Sequence, residues 1–183
     1  VSTAVASGTT DLDFENQFAL MKVTITKNNI IGVTVKGNND ESIAGSAHFY
    51  YAGDGAPKVD LSNAGQKSVN LTYKATASSS NSAFPTGDYY IVIWPKDFSS
   101  GYSVILTDED GGKSLKSTSS SQSFSRNGGQ NLSTVDDATF CPSVIMTAAQ
   151  LKMWRRVAEA GMYKAGEEVK LGADIDLGGY AWK

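Results

Sequence analysis

One cysteine and one histidine stand among the 183 residues, and each scarcity removes chemistry. With Cys141 alone, no intrachain disulfide can form, so an oxidising compartment is permitted but not required. With His48 alone, a triad or a metal centre would have to recruit serine or carboxylate partners that no motif places beside it. Positive charge is not in surplus either. Sixteen Lys and Arg against nineteen Asp and Glu leave a net charge of -3, and no basic run with interleaved aromatics occurs, which excludes nucleic acid as an expected partner. No apolar stretch approaches the ~18 residues of a spanning helix. No basic-then-apolar leader opens the sequence, and the small, polar start VSTAVASGTTDLDF is expected to follow a removed leader or a tether. What is present is a composition 40% hydrophobic and 19% charged, enough to bury a sizeable core in one or two domains.

Period-two alternation dominates residues 14–135. In FALMKVTITK, Ala19, Met21, Val23 and Ile25 share one face and Lys22, Thr24 and Thr26 the other, the pattern of a half-buried strand. Asn28-Asn29 tolerates the positive φ of a tight turn and leads into IIGVTVKG, with Ile31, Val33 and Val35 in phase, so a first hairpin is expected. SIAGSAHFYYAG sets Ala47, Phe49 and Tyr51 against His48 and Tyr50. KVDL and SVNLTYKA follow, with Val69, Leu71 and Tyr73 in phase. GDYYIVIWP is apolar on both faces, which predicts a central strand covered twice, with Tyr90, Val92 and Trp94 on one inward face and Pro95 ending the ladder. GYSVILTDEDGGKSLKSTS predicts a hairpin of Tyr102, Val104 and Leu106 against Leu115, turned at Asp110-Gly111-Gly112. The polar SFSRNGGQNLSTV closes the set. Short strands with no helical interval predict a mainly β chain, an antiparallel Greek-key-type β-sandwich.

Beyond Asp136-Asp137 the alphabet changes. Thr147 and Gln150 have capping-box spacing, and Leu151, Trp154 and Val157 (with Ala158) recur at helical intervals opposite Lys152, Arg155, Arg156 and Glu159, until Gly161 stops the helix. EEVKLGADIDLGGYAW then offers strand-like Val169, Leu171, Ile175 and Leu177. A helix and two strand fragments cannot build a core of their own from under about fifty residues. The expected organisation is therefore a sandwich domain over 1–136, a linker over 137–146 and the start of a second, truncated domain over 147–183.

Two stretches carry resemblances. FENQFALMKVTIT, VTVKGNNDESIAGSAHF, FPTGDYYIVIWPKDFSSGYSVILTDEDGGKSLKSTS and the polar strand ending NLSTVDD follow the order of the fimbrillin-like domains of Bacteroidetes surface proteins, over about three quarters of the chain. That resemblance implies a β-sandwich on a lipoprotein or fimbria at the outer membrane, exported to the cell surface, with adhesive, anchoring or pilus roles and no catalytic signature. MTAAQLKMWRRVAEAGMYKAGEEVKLGADIDLGGYAWK is similar to the segment that opens repetitive right-handed β-helix regions in bacterial surface proteins, where ADIDL is the first rung. On that likeness the chain continues beyond Lys183.

Candidate chemistry is sparse. His48 reads as packed or solvent-facing and Cys141 as a passive thiol. Asp108, Glu109 and Asp110, like Asp174 and Asp176, read as turn residues, since neither set matches a twelve-residue calcium loop. No catalytic residue, metal site or cofactor is expected. The aromatics say more: Tyr50, Tyr89 and Tyr102 are the candidate ligand-binding residues, because rings on a flat sheet face grip sugar rings, although core packing accounts for many aromatics of this kind. The expected function is a non-catalytic structural or adhesive surface module whose partners are other subunits joined by strand addition, or host and glycan ligands. The alternative is a carbohydrate-binding module or an accessory domain of a larger surface enzyme.

Overall fold

A computed structural model of the chain describes residues 2–6, 12–51, 57–61, 65–76 and 81–179; Val1, most of the Ser-rich run 78–82 and the closing segment 180–183 lie outside the described residues. The first strands are β1 (Ser2–Ala6), β2 (Leu12–Asn16), β3 (Ala19–Ile25), β4 (Ile30–Gly37), β5 (His48–Tyr51), β6 (Pro57–Asp60) and β7 (Ser68–Thr72). They continue as β8 (Gly87–Ile93), β9 (Lys96–Phe98), β10 (Tyr102–Asp108), β11 (Lys113–Ser117), β12 (Gln122–Phe124) and β13 (Gly129–Thr134). Helix α1 (Ala148–Glu159) then lies between β14 (Val144–Ile145) and β15 (Lys170–Leu171).

The chain is mainly β, as expected, and its main sheets have the orders β11-β10-β4-β7 and β13-β3-β8. Their facing sides form one core. Ala19, Met21, Val23 and Ile25 of β3 are buried there with Ile91 and Ile93 of β8, Val33 and Val35 of β4, and Val104 and Leu106 of β10, joined by Phe84, Phe98 and Phe124. At about 1.5–3 kcal/mol for each large side chain fully buried, this alternating set is the chief stabilising term.

Several pairings differ from expectation. β3 and β4 do not form a hairpin: β3 pairs with β8, β4 pairs with β10 and β7, and Asn28-Asn29 lies where the chain crosses between the sheets. Asp136 holds this crossing. Its buried carboxylate accepts from the Thr26 amide at 2.8 Å, the Thr26 hydroxyl at 2.9 Å and the Lys27 amide at 2.6 Å. In β4 the register against β10 slips, with Thr107 opposite Gly32 and Asp108 opposite Ile30, so Ile31 is the extra residue of a bulge. Ile30, rather than Ile31, therefore joins the core. The closing polar segment runs parallel to β3 as β13, after a short β12 that pairs with β9. At the N-terminus, β1 and β2 pair antiparallel.

The doubly covered strand is β10, not β8. Val104 and Leu106 face the sandwich core, while Ile105 points outward and is buried with Leu115, Cys141, Ile145, Met153 and Val157 in a second core. Leu115 accordingly packs beside Ile105, its register partner, and not with Val104 and Leu106. Residues expected to form a linker take part in this layer. Cys141 and Lys113 exchange backbone bonds of 2.7 and 2.9 Å, and the Leu115 amide donates to Met153 Sδ at 3.2 Å. α1 starts with the expected capping box, since the Gln150 amide donates to the Thr147 hydroxyl at 3.2 Å and Gln150 Oε1 accepts from the Thr147 amide at 3.1 Å. Met153 and Val157 are its buried residues, with Leu151 and Trp154 half-buried. Gly161, at φ +71, ends it. β14 and β15 pair in parallel on either side of the helix, and Leu171 is exposed.

Candidate functional site

β8 closes one end of the three-stranded sheet. Its inward residues are Tyr89, Ile91 and Ile93. Tyr89 packs edge-on against Phe84 at 5.0 Å and donates its hydroxyl to the Pro85 carbonyl at 2.6 Å, and burial raises its phenol above the ordinary value. Tyr90 and Val92 point the other way and are 57% and 49% exposed. This reverses the expected assignment, in which Tyr90, Val92 and Trp94 shared the inward face. Trp94 is buried although it follows Tyr90 and Val92 in phase, because the strand ends at Ile93 and the Trp94 amide turns to the Ile43 carbonyl at 2.9 Å.

Along the outward face, Lys22 of β3 lies opposite Tyr90 and Thr24 opposite Asp88. Lys22 Nζ reaches Asp88 Oδ2 at 2.9 Å, and the Thr24 hydroxyl donates to Oδ1 at 2.6 Å. The Thr24 hydroxyl and then the Lys22 ammonium hold the Asp88 carboxyl below its ordinary value, and the hydrogen bond to Asp88 raises Lys22. Beyond this charged corner the strand is apolar. On its side away from β3, β8 meets no backbone partner among the described residues, beside exposed Tyr90 and Val92. Natural edges are usually blunted by short length, proline or inward charge; this one has seven residues, no proline and a single charge at its start.

The three candidate tyrosines occupy three different elements. Tyr89 packs inward on β8 as described. Tyr102, at the start of β10, sets its ring against Phe98 at 6.0 Å and Phe124 at 5.8 Å, and burial raises its phenol. Tyr50 is exposed on β5, with its ring 5.9 Å from that of His48. Only Tyr50 therefore presents its ring to solvent as the expectation required. Tyr90 is the solvent-facing aromatic that alternation misplaced by one residue, and the signal that marks it is the inward pair Ile91 and Ile93.

Two of the remaining candidates, Asp108 and Asp176, shape turns. Asp108 accepts from the amides of Gly112 at 2.6 Å and Asp110 at 3.1 Å and so shapes the β10–β11 turn, and Asp176 does the same for Gly178 at 2.7 Å. Among the described residues, no three His, Cys, Asp or Glu side chains converge as a metal site. Cys141, Tyr163, Lys113 and Glu167 line a recess of about 250 Å³. Burial raises the Cys141 thiol, and burial together with the adjacent thiol raises the Tyr163 phenol far up. Lys113, bonded to Glu167 at 2.7 Å, lowers that carboxyl.

No protein-family model matches the chain, and no curated protein matches it. Among solved structures, a candidate cell adhesion protein from Bacteroides ovatus is similar at 11% identity and a TM-score of 0.43, over 67% of this chain and 41% of that one. The chain thus spans well under two thirds of that protein's length.

Proposed function

We propose that this chain is a non-catalytic structural or adhesive module of a cell surface, which associates with other subunits by accepting an extended strand along β8. The observation that carries the reading is the outer edge of β8, which has no backbone partner among the described residues and is flanked by exposed Tyr90 and Val92. Main-chain bonds along such an edge supply affinity, and alternate side chains supply selectivity. Tyr90 and Val92 project at alternate positions, so every second side chain of an added strand would pack beside them. The fimbrillin-like order of strand segments in the sequence supports the surface setting.

Sedimentation velocity and cross-linking across a wide concentration range test the reading. The wild-type chain is expected to self-associate, or to bind a synthetic peptide of alternating Val and Thr. The double substitution Tyr90→Lys and Val92→Lys, which charges the edge, is expected to weaken either association by about tenfold or more. A wild-type chain that stays monomeric at every concentration and ignores the peptide would sink the strand-addition reading.

A further inference from the structure

We propose that the solvent face of the β5–β6 hairpin is a binding platform for a neutral saccharide. β5 and β6 pair antiparallel, with His48 opposite Asp60 and Tyr50 opposite Lys58, so the pleat puts these four residues on one face and Phe49 and Val59 on the other. All four are exposed, Tyr50 at 43%. The rings of His48 and Tyr50 are 5.9 Å apart and within 16° of parallel.

The hairpin's inward side already does the packing. Phe49 meets Trp94 at 6.0 Å, and Trp94 stacks on Phe18 at 4.6 Å. A two-stranded hairpin is marginal by itself, and this relay of rings fixes it to the end of the sandwich. Neither His48 nor Tyr50 is needed for that attachment. The two rings, stacked on each other and exposed, form a preorganised apolar patch on a supported surface.

The chemistry of the face selects the ligand. A pyranose offers an apolar C–H surface and a rim of hydroxyls. The paired rings match the first, and the exposed polar heads of Lys58 and Asp60 border them on the same face. Lys58 and Asp60 cancel in charge, so the platform has no net field to favour a phosphate or a polyanion. An extended peptide would instead find the β8 edge, which has no backbone partner among the described residues. Saccharide capture at this hairpin is therefore independent of strand addition.

The test is binding of the full chain to an immobilised panel of neutral glucans, mannans, galactans and N-acetylglucosamine oligomers. At least one probe is expected to be retained. Tyr50→Ala and His48→Ala are expected to weaken that binding by about tenfold or more each, while Tyr50→Phe keeps it within about threefold, all with unchanged melting temperature because the side chains are exposed. The Tyr90→Lys, Val92→Lys double variant is expected to bind the probe like wild type, which separates the two sites. No retention anywhere on the panel, or retention indifferent to both alanine substitutions, would overturn the proposal.

Discussion

At Asp136 three donors converge on one buried carboxylate, and all three belong to the point where the chain leaves β3 for the opposite sheet. Bonds to a charged acceptor contribute about 1.5–3 kcal/mol each, and a partner left buried without an acceptor costs the full desolvation of its group. Asp136→Ala strands the Thr26 and Lys27 amides together. It is expected to destabilise the protein by about 3 kcal/mol in urea unfolding. Asp136→Asn should fall between, because its amide nitrogen must face a donor. An alanine variant within about 0.5 kcal/mol of wild type would mean that water replaces the carboxylate and that the crossing does not depend on it. A single-residue shift matters equally at Tyr89 and Tyr90. In a strand of period two, it exchanges a core ring for a solvent-facing one.

The ends of α1 are legible in advance, since its capping box and glycine stop are local signals, whereas its stripe is only partly so: Val157 is buried as expected, but its buried companion is Met153, and Ala158 is exposed. Thr147→Ala removes the hydroxyl that accepts the Gln150 amide. The expected loss is about 1 kcal/mol, visible as a lower urea midpoint and faster amide exchange in the first helical turn. If exchange rises in that turn without any change in midpoint, the helix start frays independently of the fold. β3 was equally readable, because its inward and outward residues alternate without exception. Sheet membership was not. Asn28-Asn29 looks the same in a hairpin as in a crossing, and only the partners chosen elsewhere by β3 and β4 tell the two apart. Coverage is not legible for a related reason. GDYYIVI and YSVILTD are both apolar on two faces, and only the position of α1 over β10 and β11 decides that the second is covered twice. For the site, Tyr50 was legible as an exposed ring. The place of His48 beside it is not, because that depends on the pairing of β5 with β6.

The second core raises the question of whether the chain unfolds as one body or two. β10 contributes to both cores at once, with Val104 and Leu106 on one face and Ile105 on the other. The layer over residues 138–179 also closes the β11 edge through Cys141 and Met153. Deleting 137–183 would uncover Ile105 and Leu115 and leave that edge open. Re-exposing two such side chains costs about 3–6 kcal/mol, and an apolar face beside a free edge invites self-association. The shortened chain is therefore expected to unfold at a markedly lower urea midpoint and to scatter light at concentrations where the full chain does not. The full chain should melt in one calorimetric transition, since neither core can open without disturbing β10. If the shortened chain instead keeps its midpoint and stays monodisperse, the helical layer is a separately folding unit resting on a finished sandwich. A second transition in the full chain would then be its melting.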